Sequence, residues 1–581
     1  MKMKKTVIAL MLVCGILSAG EVFKERAFLL AVNMLADRNI AEIEKLADRA
    51  VKAGYNTVYL NDYKFGTAWK HGDKYVANVK KVAEILRKRN FRIVVGGMPI
   101  GDCCSYLAGT PELAESLKVV DEPYTVKNGA FTPQNMIANG SFEEGVKNWR
   151  LDPDVDISID NTCAASGKSS LHFKVTGKEP GRQTRVWYAL KTKPFQQLVL
   201  TYKVKTKNLK GPAPSLGVSS AALGKAAGVP DGFRYLTFRN KIPFERVPLK
   251  STNDWREVRV VFNTFEFSNV SIALGSWQGP VGEFWIDDVR VEPASFLNVN
   301  RRKECAVKVT SADGKITYTE GKDYSKIVDP KMGNVRWIGD FNDVHTAPVV
   351  KVLPGSRIKE GDTVLASYYH VALSQKYAGI CLNNPGTLQY ITRAAEWLQN
   401  TIKPDGFIIG IDEHRAYGYD PECEKSGMNA AQALNKIARY CHKEIKRVAP
   451  KADVYMWNDM FDPVANCKKG RYYYMVKDKD SLWNSWVGLP KDIIILRWSP
   501  TRAPGVKESM DHWQKLGMKF IEFPGYFDSP VFNPITEGVL DLAKKNPACV
   551  GAAFGQWSGL KGFRPHFETF IKVLDKVEKK K

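Results

Sequence analysis

The stretch GFIIGIDEH, residues 406–414, runs an apolar segment directly into two adjacent acids, Asp412 and Glu413. A helical pattern precedes it, and another at 430–450 separates it from the next apolar run, DVYMWNDMFD at 453–462. Strands that alternate with helices at this spacing are typical of a parallel sheet. The stretch therefore predicts a buried parallel strand whose carboxyl end presents the two acids.

The same alternation occurs towards both ends of the chain. Further apolar runs lie at 27–32, 56–62, 91–101, 492–499, 519–528 and 549–559. With the two central runs they form eight strand–helix units, three before and five after a long section without helical periodicity. Eight units predict the α/β class, as a TIM (β/α)8 barrel. The run TVLASYYH at 363–370 would be a ninth strand, which leaves its membership in the barrel open.

The section without helical periodicity consists of short β-type runs separated by turn residues. It predicts an inserted antiparallel β-sandwich, a jelly roll, followed by a small β-subdomain. The expected organisation is a signal peptide at 1–20, a first part of the barrel at 21–134, the sandwich at 135–293, the subdomain at 294–370 and the remainder of the barrel at 371–581.

The N-terminal residues have the pattern of an export signal. MKMKK is followed by a 12-residue apolar run, and Ser18 and Gly20 are small residues at suitable cleavage positions. We expect export to the periplasm or the extracellular space, with no membrane span in the mature chain. The ten cysteines have no spacing that decides a disulfide pairing.

The formal net charge of +23 comes from lysines spread along the chain. This pattern is compatible with a solvated basic surface, or with attraction to an anionic partner such as a sulfated or uronic polysaccharide. Nucleic acid is not expected as a partner, because no basic–aromatic recognition motif is present.

The residues at the ends of the predicted strands combine acids with tryptophan and tyrosine. Barrel active sites lie at the carboxyl ends of the strands, and this combination suits a sugar pocket. No catalytic metal or cofactor is expected, because no ligand spacing indicates one. The expected substrate-binding residues are Arg415, Trp457, Asp459, Trp498, Tyr526, Trp557 and His370.

The adjacent acids Asp412 and Glu413 are the predicted catalytic pair. Neighbouring like charges in a site of low dielectric raise one of the two pKa values, and a general acid at neutral pH needs a raised pKa. We expect Glu413 to protonate the leaving glycosidic oxygen. Asp412 would hold a substrate 2-acetamido group, orient Glu413, or serve only as a backbone cap or a partner of Arg415.

The Asp-Glu pair after the fourth strand resembles the catalytic pair of the family-20 β-N-acetylhexosaminidases. The resemblance implies a retaining exo-β-N-acetylhexosaminidase, in which Asp412 activates the acetamido carbonyl and Glu413 is the proton donor. It also implies that Tyr526 steadies the intermediate. The chain departs from that family before the pair, where Ile-Ile-Gly replaces the usual His-x-Gly.

Two alternatives remain open. A retaining glycosidase of another type would use Glu413 as acid/base and Glu522, on the seventh strand, as nucleophile. Glu522, within FIEF, is equally compatible with a structural glutamate paired with a lysine or an arginine. The second alternative is a non-catalytic carbohydrate-binding protein on a degenerate barrel.

Two motifs bound the predicted sandwich, NMIANGSFEEG at 135–145 and GEFWIDDVRVEP at 282–293. They resemble the ends of family-4/9 carbohydrate-binding modules. The resemblance implies binding of a polysaccharide or glycan chain, and a structural calcium at Glu143 and Asp287, with Asp288 adjacent.

Overall fold

The computed structural model describes much of the chain. The described residues are 22–101, 105–152, 156–176, 183–211, 215–219, 237–239, 249–265, 267–276, 281–333, 341–343, 345–374, 377–498, 505–524, 532–555, 559–563 and 566–580. The predicted signal peptide, residues 1–20, lies outside them.

The first part of the chain alternates strands and helices. In order these are β1 (Glu25–Ala31), α1 (Asp37–Ala53), β2 (Thr57–Asn61), α2 (Gly72–Arg87) and β3 (Arg92–Pro99). Helix α1 ends at Gly54, whose φ of 101° is the left-handed conformation that glycine adopts without strain.

A long run of strands follows. They are β4 (Ser116–Lys127), β5 (Ala130–Pro133), β6 (Arg150–Leu151), β7 (Ile157–Asp160), β8 (Ser170–Val175), β9 (Thr184–Lys191), β10 (Gln197–Lys210), β11 (Ser215–Ser219), β12 (Thr237–Arg239), β13 (Asn253–Asn263), β14 (Asn269–Ser276), β15 (Val281–Pro293), β16 (Lys308–Ser311), β17 (Thr317–Tyr318), β18 (Thr363–Val371), β19 (Leu373–Ser374) and β20 (Tyr377–Ala378).

The last part of the chain returns to mixed elements. They are α3 (Pro385–Thr401), β21 (Gly406–Gly410), β22 (Ala416–Tyr417), α4 (Pro421–Ser426), α5 (Ala430–Val448), β23 (Asp453–Trp457), β24 (Met475–Val476), β25 (Ile493–Trp498), α6 (Val506–Lys515), β26 (Phe520–Phe523), α7 (Phe532–Lys544), β27 (Cys549–Phe554) and α8 (Phe567–Lys579).

Eight parallel strands close into a barrel in the order β1-β2-β3-β21-β23-β25-β26-β27, and β27 pairs back onto β1. All eight coincide with apolar runs recognised in the sequence. Side chains that alternate along each strand fill the interior, for example Leu29, Tyr59 and Ile408. The opposite faces pack with the helices into a larger outer core.

The fold class expected from the sequence, an α/β TIM (β/α)8 barrel, is nevertheless wrong. The described strands lie mostly in three five-stranded sheets that are antiparallel throughout. The alternation of strand and helix also fails between β23 and β25, because residues 458–492, all described, contain no α-helix. That segment is rich in aspartate, asparagine and aromatic residues and lacks a helical apolar period.

Two of the antiparallel sheets face each other across one core. Their strand orders are β13-β10-β15-β8-β7 and β12-β11-β14-β9-β6. Phe173 and Leu200 from the first sheet and Ile272 from the second belong to the same buried cluster. This arrangement is a β-sandwich, in the section where the sequence predicts one.

The third antiparallel sheet has the order β17-β16-β18-β4-β5. It contains the run predicted as a possible ninth barrel strand, because β18 pairs with β4 from Thr363 to Val371. Strands β4 and β5, which the sequence analysis placed with the first part of the barrel, therefore belong to the same sheet as β16–β18. None of the described helices has the length and apolar character needed to cross a bilayer.

Candidate active site

Backbone contacts fix the segment that carries Asp412 and Glu413. The amides of Ile100 and Gly101, just after β3, both donate to the carbonyl of Gly410, at 2.7 and 2.9 Å. A β-carbon built on Gly101 would lie 1.8 Å from the carbonyl oxygen of Asp412. The close approach of the two loops therefore requires glycine at position 101.

Glu413 adopts a left-handed backbone conformation, with φ at 47°. Such a conformation is unfavourable for a non-glycine residue and persists where the surroundings enforce it. Here the amide of Glu413 donates to Oδ2 of Asp459 at 2.9 Å. Asp459 thus holds the backbone of the predicted acid in place.

Asp459 stands in the first turn after β23 and is fully enclosed. Its Oδ2 also accepts a hydrogen bond from the side chain of Asn466 at 2.9 Å, whereas its Oδ1 is buried with no hydrogen-bond partner in the described part of the chain. Burial raises the pKa of Asp459 well above its usual value, and the neighbouring charges of Asp412 and Glu413 raise it further. Both effects favour the protonated form of this carboxyl group.

The carboxylate of Glu413 pairs with Arg415, with Oε2 and Nη2 2.5 Å apart. The glutamate side chain is 40% exposed and the arginine only 9%. The guanidinium lies over the rings of Tyr377 and Tyr474, at 4.1 and 4.8 Å from their centroids. The guanidinium group of Arg415 is therefore covered by aromatic rings, while the carboxylate of Glu413 faces solvent.

The adjacency of Asp412 and Glu413 predicts a raised pKa for one of these two acids, with Glu413 as the proton donor. In the structure a third acid, Asp459, has a raised pKa, chiefly because it is enclosed. Asp459, which was expected to bind sugar hydroxyls directly, lies behind Glu413 and supports its backbone.

A run of tyrosines that the sequence analysis overlooked completes the site. The amide of Met475 donates to the carbonyl of Arg415 at 2.9 Å, and β24 pairs with β22. Tyr474, beside them, has a positive φ of 44°. The hydroxyl of Tyr473 is buried, and burial together with the charges of Glu413 and Asp459 raises its pKa well above 10. Three consecutive tyrosines within a turn-rich loop were the available signal.

Two of the predicted aromatic residues lie at the ends of barrel strands. Trp457 ends β23, is 9% exposed and packs against Phe523 with ring centroids 4.9 Å apart. Trp498 ends β25 and donates its backbone amide to the side chain of Asn458 at 2.9 Å. Trp457 is thus largely a core residue, and Trp498 is only partly covered. Tyr526 and Trp557 lie outside the described residues.

Glu522 does not have the surroundings of a nucleophile. Its strand neighbours Ile521 and Phe523 fill the barrel interior, whereas Phe520, on the same face as Glu522, packs in the outer core. Arg497 binds both carboxylate oxygens of Glu522, and both side chains are fully buried. Burial raises the pKa of Glu522 to about 7 despite the opposing effect of Arg497. This placement fits the structural alternative.

The histidines near the predicted site are also core groups. His370 lies in β18 of the third antiparallel sheet, and His414 follows Glu413; both are almost fully buried. Burial lowers the pKa of each to about 4, so both are neutral at physiological pH. The burial of His370 does not fit the expected contact with a substrate.

The acids expected to hold calcium bind backbone amides of one turn. Asp287 accepts from Ala165 and Ser166, at 2.8 and 3.1 Å. Glu143 accepts from Lys168 and Ser169, at 2.9 and 3.0 Å. Together they close the turn before β8, and calcium there stays a prediction.

Comparison with known proteins gives no family. No family profile and no curated protein matches the sequence. Similar solved structures include the enzymatically active domain of bacteriophage CBA120 tailspike protein 4, at 15% identity over 27% of this chain and 21% of that chain, TM-score 0.19. TmCBM61, bound to β-1,4-galactotriose, shows 16% identity over 28% of this chain and 99% of that chain, TM-score 0.19.

A third similar structure is a putative sugar-binding protein from Bacteroides thetaiotaomicron, at 16% identity over 28% of this chain and 100% of that chain, TM-score 0.22. At TM-scores near 0.2 the likenesses carry no argument about the activity of this chain.

Proposed function

We propose that the loops after β21 and β23 form a glycan site and that the chain is a glycoside hydrolase. The observation that supports this most is the convergence of Asp412, Glu413 and Asp459 at the carboxyl ends of neighbouring parallel strands, where the carboxyl group of Asp459 is enclosed and its pKa is raised. Placing like charges close together costs free energy, and such clusters occur preferentially where they serve catalysis or bind a ligand.

In this proposal Glu413 is the acid/base, because its carboxyl group is the open one. Asp459 holds the Glu413 backbone by accepting a hydrogen bond from the Glu413 amide. Arg415 orients the Glu413 carboxylate in the free protein. Substrate must then displace Arg415 from Glu413, because a glutamate that arginine stabilises in its ionised form is a poor proton donor. Asp412 would bind a 2-acetamido group, as the family-20 resemblance implies.

The ion pair between Glu413 and Arg415 favours a second candidate function. If Arg415 keeps this carboxylate in the bound state, the site binds a glycan without cleaving it. The buried guanidinium of Arg415 and the two tyrosine rings beside it would then bind the glycan. Aromatic faces pack against sugar rings, and a guanidinium group pairs with acidic groups of a sugar chain.

Glu413→Gln distinguishes the two functions. A panel of aryl N-acetylhexosaminides, aryl hexosides and sulfated oligosaccharides is assayed for turnover, and binding is measured by calorimetry. A hydrolase loses at least about 100-fold in kcat with binding retained, the scale of general acid catalysis. Glu444→Gln is the matched control, because Glu444 also pairs with an arginine, Arg447, but on helix α5. Wild-type binding without turnover on any substrate supports the second function.

Asp412→Asn separates the mechanisms within the hydrolase. Acetamido assistance predicts that only N-acetylhexosaminide turnover falls and that a thiazoline inhibitor binds the wild type. The covalent route predicts trapping of Glu522 by a 2-fluoro sugar, which the outward-facing, arginine-paired position of Glu522 opposes.

We propose that the sandwich binds the polysaccharide on which the candidate active site acts. Trp187 is a poor sugar platform, because the guanidinium groups of Arg185 and Arg150 lie 4.6 and 5.3 Å from its centroid. Trp255, half-buried on strand β13 at the edge of its sheet, is the better candidate. Trp255→Ala should weaken retention on polysaccharide and leave turnover of a small aryl glycoside unchanged. Equal retention by both proteins would argue against this role.

A further inference from the structure

Four side chains with metal-binding groups meet in the interior, apart from the candidate active site. They are Glu115, Cys381, Asp420 and Cys423, all buried, with one donor atom from each lying within 4.8 Å of the others. None was singled out as a ligand in the sequence, because they come from three distant segments.

The cluster lies where the inserted section leaves and rejoins the barrel. Glu115 directly precedes β4, and its amide donates to the carbonyl of Gly379 at 2.8 Å. Cys381 follows β20, and its amide donates to the carbonyl of Leu113, also at 2.8 Å. Asp420 caps helix α4, in the segment that follows the acid pair, and Cys423 lies in that helix.

The distances fit ligands around one ion. The sulfur atoms of Cys381 and Cys423 are 3.9 Å apart. Two thiolates bound to a tetrahedral zinc at about 2.3 Å lie about 3.8 Å apart, whereas a disulfide requires about 2.05 Å. Oε2 of Glu115 is 3.3 Å from the Cys423 sulfur, which also suits two ligands of one ion. A disulfide would leave two buried carboxyl groups facing uncharged sulfur.

The surrounding groups orient the carboxylates as outer partners of a metal site do. Oδ2 of Asp420 accepts from Arg302 at 2.7 Å, and its Oδ1 accepts from the Cys423 amide at 2.9 Å. The amides of Tyr419 and Asp420 donate to Oε1 of Glu115, at 2.7 and 3.1 Å. Oε2 of Glu115 is thereby turned towards the two sulfur atoms, and Arg302 supplies a compensating positive charge.

We propose that Glu115, Cys381, Asp420 and Cys423 bind one zinc ion, which cross-links both ends of the inserted section to the segment that follows Glu413. Zinc suits two thiolates and two carboxylates in a closed tetrahedral site, whereas calcium and magnesium prefer oxygen ligands alone. With four protein ligands the site is structural.

The full-length chain is purified from zinc-containing medium, and its zinc content is measured after dialysis. We expect about one zinc per chain, an X-ray absorption spectrum with two sulfur ligands at about 2.3 Å, and a thiolate charge-transfer band after replacement by cobalt. Cys381→Ala and Cys423→Ala should each weaken zinc binding at least about tenfold. Cys441→Ala is the matched control, because Cys441 is fully buried in α5 outside the cluster.

The wild-type measurements decide the matter even if a variant fails to fold. Absence of zinc, or a peptide map that joins Cys381 to Cys423 by a disulfide, would overturn the proposal. Zinc bound equally by the wild type and both variants would also overturn it, since the ion would then lie elsewhere.

Discussion

Substitution of Asp459 offers a sharp test of how the acid cluster is held. Its Oδ2 accepts two hydrogen bonds, from the Glu413 amide and the Asn466 side chain, and burial raises the pKa of its carboxyl group. Asparagine reproduces the shape and the acceptor oxygen of a neutral aspartic acid. Asp459→Asn should therefore change the free energy of unfolding by less than about 1 kcal/mol at low pH.

Asp459→Ala removes the acceptor and leaves two partly buried donors unpaired. Each unpaired donor costs about 1–3 kcal/mol, so we expect a loss of about 2–6 kcal/mol in all. The strained backbone of Glu413 would also be free to relax. Urea unfolding followed by tryptophan fluorescence measures both variants.

The pH dependence gives a second readout. The folded pKa of Asp459 is raised above its unfolded value of about 3.8, so the folded state keeps a proton that the unfolded state has lost. This contribution is fully present below that unfolded value and is lost as pH rises through the folded pKa. Asp459→Asn does not titrate, so its stability relative to the wild type should increase as pH rises.

Asp462, three residues along the same turn, is the matched control. It is fully buried and accepts from Asn458, Val464, Ser509 and Trp513. An asparagine amide group there would face donors, so Asp462→Asn should lose about 1–3 kcal/mol. If Asp459→Asn is as damaging as Asp462→Asn and its relative stability does not increase with pH, the raised pKa of Asp459 and this account of the cluster are wrong.

Three further outcomes are expected. Gly101→Ala should lower the melting temperature and displace the acid-bearing loop, because its β-carbon would meet the carbonyl of Asp412 at 1.8 Å; an unchanged crystal structure and melting temperature would contradict this. His370→Gln should reduce the loss of stability as pH falls from about 6.5 to 4, because burial lowers the His370 pKa to about 4; identical acid unfolding curves would argue against it. Glu522→Gln should abolish a decline in stability as pH rises from about 4.5 to 7, because burial raises the Glu522 pKa to about 7; a persistent decline would place its cause elsewhere.

The barrel strands could be predicted because each is buried on both faces and therefore appears as a short continuous apolar run. The fold class could not be predicted, because the prediction assumed a helix after every strand. The segment after Trp457 contains turn residues and no helical apolar period, and it was nevertheless counted as a strand–helix unit. The long antiparallel section was predicted from its turn spacing, but strand β4 pairs with β18 across more than two hundred residues, and such pairing has no local pattern.

The acid pair shows why residues can be found from sequence while their roles are not. Asp412 and Glu413 stand out because acids follow an apolar run. The enclosed acid is Asp459, which contacts the Glu413 amide and the Asn466 side chain at the end of the neighbouring strand β23. The raised pKa of Asp459 is therefore a tertiary property that no local sequence pattern indicates.

The inserted section has a structural part in the site. The loop that begins with the acid pair contacts residues just after β3, and one of its carbonyl groups accepts a hydrogen bond from the Met475 amide. The Glu413 amide of the loop donates to Asp459. Its far end, at Asp420, is bound by Arg302 and donates its amide to Glu115, both close to strands of the third antiparallel sheet. The loop is therefore held at one end by the barrel and at the other end by residues close to that sheet. The backbone geometry at Glu413 thus depends on residues far from it in sequence.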